Sequence, residues 1–402
     1  MCKGKNLKKV ISLSPTPPAN AFLTKKGVKK KETFFPLQVN FCLDCGQLQL
    51  THVVSPEILF RNYVYVSSTS PVFINHFEEY AKDLIKRFKL NKQSLVIDIG
   101  SNDGILLKPL KKSGVKVIGI DPAVNIAKKA TKIGIKTFPN FLTRNIAKKI
   151  VKKYGLCDVI CANNSFAHID NLDEIVESVK ILTKNAGVFV IEFPYIIDFI
   201  EKNYFDLIYH EHLSYLSIRC LITLFKRHNM EIFDAREVAS HGGSLRVYVK
   251  KTNAKYKIQT TVKKLVGKEL KLGLDDINTY LRFGKKIEEN KKKLIKLLKQ
   301  LKSKDKTIVG YGAPAKGNTL LNYFKIGTNI LDYIVDDSKY KQGLYTPGTH
   351  IPVVPFDKIA QSKPNYILLL AWNFAEPLMK KLTNFEKSGG HFIIPVPEAK
   401  TI

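Results

Sequence analysis

The 402-residue chain holds one tryptophan, three methionines, six cysteines and eight arginines. Six cysteines in this length do not make a disulfide scaffold. No stretch approaches the roughly 18 apolar residues of a membrane-spanning helix, and residues 1–31 are basic with no apolar run of signal-peptide length. These shortages predict a reduced, cytoplasmic protein with no membrane partner. Acidic residues are also scarce, 35 Asp+Glu against 65 Lys+Arg, a net charge of +30. Such a balance suggests nucleic acid, acidic membrane or phosphorylated substrates. Base-edge reading favours arginine, and here the excess is nearly all lysine, so sequence-specific nucleic-acid binding is disfavoured. Nine lysines fall in the first 31 residues and fourteen between Lys251 and Lys299. Most of the charge therefore reads as solvated surface.

What is present is an ordinary globular mixture, 45% hydrophobic and 25% charged. At roughly 100–200 residues per domain, the length implies two or three domains. The first 75 residues look irregular, with Pro15, Pro17, Pro18 and Pro36 and a short strand-like run at Leu48–Val54. From about His76, helical patterns alternate with apolar strands at Leu95–Ile99, Lys116–Ile120, Val159–Ala162 and Gly187–Glu192. A late strand follows at Ser244–Val249. Alternation of this kind predicts an α/β fold, a mostly parallel sheet with helices on both faces. Residues 255–302 are lysine-rich with apolar residues at helical spacing, and read as one long linking helix. Strands at Thr307–Tyr311, Tyr333–Val335, Tyr366–Ala371 and His391–Ile394 predict a second, smaller α/β unit. The expected divisions are 1–75, 76–254, 255–302 and 303–402.

The segment Asp98-Ile99-Gly100-Ser101-Asn102-Asp103-Gly104 follows a strand and leads into a helix. Glycines let backbone turn tightly and approach a ligand, and the carboxyl end of a parallel strand is the usual ligand crevice. Asp121 ends the next strand, where an acid can accept from both ribose hydroxyls. The spacing is not the Gly-x-Gly-x-x-Gly of dinucleotide folds. It resembles motif I of class I S-adenosyl-methionine methyltransferases, with NAD binding as the rival reading. Asn163, Asn164 and His168 follow the third strand and are candidates to flank the adenine or methionine ends, or else cap the loop.

Tyr209-His210-Glu211-His212 concentrates titratable groups, read as following a strand. The zincin spacing His-Glu-x-x-His is absent. Acid–base chemistry is the simpler reading: a neutral His, a Glu that orients it and a Tyr that bonds a developing oxyanion. A structural polar network is the alternative. Cys42-x-x-Cys45-Gly46 looks like half of a zinc knuckle, with Cys2 as a third ligand and no recognisable fourth. A metal-free remnant remains open. Cys157, Cys161 and Cys220 lie in apolar surroundings and read as buried thiols.

Taken in order, these motifs resemble the sugar-nucleotide C-methyltransferase family, including 3-C-methyltransferases of deoxysugar pathways. The resemblance spans nearly the whole chain. It is carried by Cys42 to Leu50, Tyr63-Val-Tyr65-Val-Ser67-Ser68, Asp98 to Gly104, Asn163-Asn164, His168, Glu192-Phe-Pro194-Tyr195 and Tyr209 to His212. It continues through His241-Gly242-Gly243-Ser244-Leu-Arg246, Gly310 to Asn318, Asp336-Asp337, Pro347 to His350 and Trp372-Asn373. It implies a class I methyltransferase Rossmann-like core, a small N-terminal zinc-ribbon-like module on Cys2, Cys42 and Cys45, and a second Rossmann-like C-terminal domain. Members carry two Cys-x-x-Cys pairs. Cys2 matches the second member of the first pair, which places the missing cysteine upstream of Met1.

The same resemblance implies S-adenosyl-methionine and structural zinc as cofactors and a nucleoside-diphosphate 4-keto-deoxysugar as substrate. His212 is implied as the base, with Tyr209 and Glu211 supporting it, and a tyrosine of the 63/65 segment, Tyr65 by preference, closing over the site. The cofactor set is then Tyr63, Ser67, Asp98, Gly100, Asn102, Asp103, Asp121, Asn163 and His168. The diphosphate needs cations or N–H groups, for which His241, Gly242, Ser244, Arg246, Lys316 and Asn318 are candidates. A nucleic-acid methyltransferase would carry grammar such as Asn-Pro-Pro-Tyr after the third core strand, where Asn163-Asn164-Ser165-Phe166 stands. A non-catalytic sugar-nucleotide binder would not need Asp98, Gly100, Asp121 and His212 together.

Overall fold

The computed structural model describes every residue except Asn62, Val64 and Ser70, and of His241 the backbone alone. Strand β1 (Leu7–Thr16) pairs antiparallel with β2 (Phe35–Cys42), and β2 pairs antiparallel with β3 (Leu48–Leu50). Along β2, Leu37, Val39 and Phe41 are buried while Gln38 and Asn40 between them are only half-buried, the period of two of a one-sided sheet. The expectation of an irregular N-terminus is corrected by β1. Lys8, Lys9 and Pro15 obscure a strand whose Val10, Ile11 and Leu13 are buried. The helix Ile277–Lys302 packs over this sheet, its Tyr280 ring 4.9 Å from Phe41.

The central sheet is built from β4 (Leu95–Ile99), β5 (Lys116–Ile120), β6 (Thr137–Phe138), β7 (Cys157–Asn163) and β8 (Thr183–Pro194), which are parallel. Strand β9 (Ser214–Tyr215) leaves this unit and pairs with β3. Strands β10 (Met230–Val238) and β11 (Ser244–Lys251) complete the central sheet, with β11 antiparallel to both neighbours. The order is β10-β11-β8-β7-β4-β5-β6. That order, with one reversed strand next to the edge, is the class I methyltransferase arrangement the sequence predicts. Val188, Phe189, Val190 and Ile191 are fully buried in succession, as a strand covered by helices on both faces requires.

Two expectations change here. The predicted single linking helix is two, Thr260–Lys271 and Ile277–Lys302, broken where Gly273 takes a positive φ of 72° and Asp276 caps the Asn278 N–H. The lysine-rich pattern runs through that break and hides it. Tyr209 does not follow a strand. It follows the helix Ile196–Glu201 and a single 3-10 turn, Phe205–Leu207.

The third sheet comprises β12 (Ile308–Tyr311), β13 (Ile334–Val335), β14 (Val353–Val354), β15 (Tyr366–Leu369), β16 (His391–Ile394) and β17 (Lys400–Thr401). Its order is β14-β13-β12-β15-β16-β17, parallel except for β17. It is the second Rossmann-like sheet. Residues 17–32 strap across this unit. Leu23 and Tyr345 exchange backbone hydrogen bonds of 2.9 and 2.8 Å, and Glu32 accepts from His350 Nε2 at 2.6 Å. One apolar core runs through all three sheets. Among the described residues no helix is long and apolar enough to cross a membrane.

Candidate active site

A cavity of about 650 Å³ opens at the carboxyl ends of β4, β5 and β7 and extends to the helix Ala315–Phe324 of the third unit. At its first end, Gly100 turns with φ 71° and packs so closely that a Cβ would lie 2.6 Å from the Ser165 Cβ. Asp121 accepts from the backbone N–H groups of Asn102 and Ala123, both at 2.8 Å. Burial raises its carboxyl, and those two bonds oppose the rise. Asp98 is 3% exposed and pushed well above the usual carboxylate range by burial, with Asp121 adding to it. Asn163 Nδ2 donates to Asp98 at 3.3 Å. Asn163 Oδ1 and Asn164 Oδ1 are buried without a hydrogen-bond partner among the described residues. Unmet acceptors beside a glycine turn and two acids fit the ribose hydroxyls and the ammonium of S-adenosyl-methionine.

Asn102 and Asp103, expected at the cofactor, bond the segment that runs from Tyr63 to Ser68. Asn102 Oδ1 accepts from Ser67 N at 2.9 Å and Asn102 Nδ2 donates to Tyr65 O at 3.1 Å. Asp103 accepts from Ser68 Oγ and Lys108 Nζ. Both side chains thus fasten the covering segment that carries Tyr63, Tyr65 and Ser67. Asn102 still lines the cavity, whereas Asp103 does not. Sequence reasoning misses Asn140 and Phe141, which line the cavity beside Asp121 and sit in an uninformative loop after β6.

The Tyr209–His212 turn lies in mid-cavity, held between the helix Ile196–Glu201 and β9. His212 Nδ1 bonds the carbonyl of Leu207 at 2.8 Å, so that nitrogen carries the hydrogen. In the neutral ring Nε2 then carries the lone pair, and it lies 2.7 Å from the Tyr209 hydroxyl. His168 stacks on His212 at 5.0 Å, and Phe60 stacks on His168 at 5.7 Å. Glu211 is 2% exposed and accepts from Tyr63 OH at 2.5 Å and Asn20 Nδ2 at 2.7 Å. Burial pushes its carboxyl up to about 7. The tyrosine that meets the Tyr209–His212 turn is thus Tyr63, which the resemblance places at the cofactor. Tyr65, assigned to catalysis, packs 6.4 Å from the Tyr63 ring and lines the same cavity. His210 faces away, its Nε2 on the Pro36 carbonyl at 3.3 Å.

At the far end, Lys316 is 9% exposed, sits 3.6 Å over the Trp372 ring and donates to Asn373 Oδ1. Asp206 is fully buried and accepts from Trp372 Nε1 at 2.5 Å. Burial pushes the Lys316 ammonium down, and the Asp206 charge opposes that fall. Among the described residues, the candidates Gly242, Ser244, Arg246 and Asn318 do not line the cavity. Arg246 lies opposite Glu192 in the β11–β8 register, so the two side chains share a face. Its guanidinium bonds Glu192 through Nε at 2.7 Å and Nη2 at 2.6 Å and lies 3.3 Å over Tyr80. It has no surface to offer a diphosphate. Ser244 Oγ donates to Ser240 O, and Gly243 packs where a Cβ would lie 2.3 Å from the Asp198 carboxyl. Gly242 bonds Lys202 Nζ through its carbonyl. Asn318 Nδ2 donates to the Ala19 carbonyl at 2.7 Å and holds the strap. The predicted contact of the His241 side chain falls outside the described residues.

The thiols of Cys2, Cys42 and Cys45 converge, all three sulfurs within 4.8 Å of one another and Cys2 Sγ 3.7 Å from Cys42 Sγ. Tetrahedral zinc with bonds of about 2.3 Å sets sulfurs roughly 3.8 Å apart, so the cluster fits that ion. Among the described residues no fourth His, Cys, Asp or Glu joins the group.

The central sheet order and the loop at its carboxyl ends define a class I S-adenosyl-methionine-dependent methyltransferase. Family models match along the chain: "Putative zinc binding domain" over 1–60, "Methyltransferase domain" over 73–234 and "C-methyltransferase C-terminal domain" over 239–397. C-methyltransferase NovU of Streptomyces niveus is 33% identical over 393 residues, covering 98% of this chain and 94% of that protein. The chain belongs to the C-methyltransferase family. A methyltransferase structure from Anabaena variabilis is 17% identical, covers 44% of this chain and 94% of that chain, and has a TM-score of 0.35. Magnesium protoporphyrin IX methyltransferase from Synechocystis is 12% identical over 44% of this chain and 80% of that chain, with a TM-score of 0.33.

Proposed function

We propose that this C-methyltransferase acts in the cytoplasm on a nucleoside-diphosphate 4-keto-deoxysugar, methylating the carbon next to the keto group. The observation that carries the reading is the His212 geometry: Nδ1 committed to Leu207 O and Nε2 facing the Tyr209 hydroxyl, inside the cavity that begins at Asp98 and Asp121. A neutral imidazole beside a phenol suits enolisation, which needs a base for carbon-bound hydrogen and a donor for the oxygen that gains charge.

Asp121 would take the ribose hydroxyls of S-adenosyl-methionine, with Asp98, Gly100 and Asn163 around the rest and Tyr65, Ser67 and His168 closing over it. When bound, that cofactor supplies a methyl group activated by its sulfonium. His212 removes the proton next to the keto group. With substrate bound, the Tyr209 hydroxyl would turn its hydrogen from Nε2 to the oxygen on which charge develops, which frees the Nε2 lone pair for the proton, and Glu211, held by Tyr63, keeps the turn in place. Lys316 takes the diphosphate, helped by the water-poor setting against Trp372. The covering segment and the third unit exclude water while the carbanion lasts.

Incubation with methyl-labelled cofactor and a panel of 4-keto sugar nucleotides tests the reading, with products read by mass and NMR. One labelled methyl on the carbon beside the keto group is expected. Labelling of RNA or DNA with none of any keto sugar contradicts it.

A further inference from the structure

Glu211 owes its setting to a residue that lies 191 positions earlier in the chain. Asn20 Nδ2 donates to Glu211 Oε1 at 2.7 Å while Tyr63 takes the other oxygen. The Asn20 side chain also lines the cavity. The residue before it, Ala19, is gripped through its carbonyl by Asn318 of the third unit, and three residues on Leu23 pairs with Tyr345 of the same unit. The strap is therefore fixed to one unit while its asparagine serves a carboxylate of another.

We propose that Asn20 is a positioning residue of the reaction, its amide holding the Glu211 carboxylate between Tyr63 and the Tyr209–His212 turn and making the strap and third unit part of the active site. The proposal rests on the catalytic reading of the Tyr209–His212 turn. Nothing cationic bonds Glu211 among the described residues. Tyr63 on the covering segment and Tyr209 on its own turn are the titratable groups that sense its charge, and the strap contributes only the uncharged amide. A donor to the carboxylate favours the ionised form. Asn20 and Tyr63 thus moderate a carboxyl that burial has carried to about 7. Loss of the amide leaves that carboxyl more reluctant to ionise and held by Tyr63 alone. A role confined to strap packing would leave its ionisation unmoved.

Infrared titration of the full chain reads the Glu211 carboxyl directly, with the band assigned by its loss in Glu211→Gln. In Asn20→Ala the midpoint is expected to rise by about one pH unit, and the pH–rate profile should move with it. The expected fall in kcat is roughly tenfold or more, with cofactor affinity kept within about twofold. Asn20→Asp keeps the shape, removes the donor and adds a like charge, so it should raise the midpoint at least as far. It decides the matter if Asn20→Ala does not fold. An unmoved midpoint in folded Asn20→Asp overturns the proposal. The infrared readout needs no acceptor, so a shifted midpoint without turnover on any keto sugar contradicts the substrate reading and leaves Asn20 standing.

Discussion

Glu192 and Glu211 are equally hidden, 0% and 2% exposed, yet their carboxyls move in opposite directions. Burial alone would raise both. Around Glu192, the His76 bond at 2.7 Å and the charge of Arg246 outweigh burial and hold the carboxyl down to about 2. Around Glu211 the donors are neutral, Tyr63 and Asn20, and burial prevails. The charge of the partners, not the depth, decides which acid is locked and which titrates near pH 7. Perturbed acids that remain free to titrate are the ones expected at reacting sites. The locked one serves the fold, tying β8, β11 and the helix Pro71–Phe88 together.

The strongest way to break this contrast is Arg246→Leu, which strands a buried carboxylate. It should cost about 3–5 kcal/mol of stability, measured by urea unfolding, and adding Glu192→Leu should recover most of it. A loss under about 1 kcal/mol would show Glu192 content without its guanidinium. Next in size is Glu211→Gln. A folded carboxyl raised above its unfolded value penalises the fold increasingly as pH climbs from the ordinary carboxylate range through about 7. The variant should therefore match the parent near pH 4 and exceed it at pH 8, by on the order of 2 kcal/mol. Glu192 behaves in the opposite sense. Its contribution is present above the ordinary range and fades as pH falls toward about 2. Two of the buried cations extend the contrast. Arg246 is consumed by Glu192, whereas Lys316 lines the cavity, so Lys316→Ala should fold normally and raise KM for the sugar nucleotide roughly tenfold. Unchanged affinity would remove its phosphate role. The smallest effect expected is His76→Asn, which removes one hydrogen-bond partner of Glu192 and should cost about 1 kcal/mol in the same unfolding measurement.

The parts legible in sequence are those whose chemistry is local. Asp98 to Gly104 sits at one strand end and Asp121 at the next, so the cofactor end of the cavity could be read from spacing. Tyr209 to His212 is a single turn, and His212 meets Tyr209 within three residues. Partners set by the fold were not legible. Asn20 and Glu211 lie far apart in sequence, and the proline-rich stretch around Asn20 carries no motif. Arg246 looked free because its partner is fixed by the β11–β8 register. Asn318 follows a glycine-rich stretch that suggests a ligand, yet it lies within the helix Ala315–Phe324 and its amide bonds the strap. Two-residue β9 is too short to show any alternation, although it ties the chain just after the Tyr209–His212 turn to the N-terminal sheet.

The central claim is that His212 takes a carbon-bound proton, and solvent deuterium exchange tests it most directly. With a 4-keto sugar nucleotide identified as acceptor, the parent enzyme should place deuterium on the carbon beside the keto group. His212→Ala should fold and bind cofactor with exchange lowered about 100-fold or more. Exchange and turnover at the parent rate in folded His212→Ala would contradict the account.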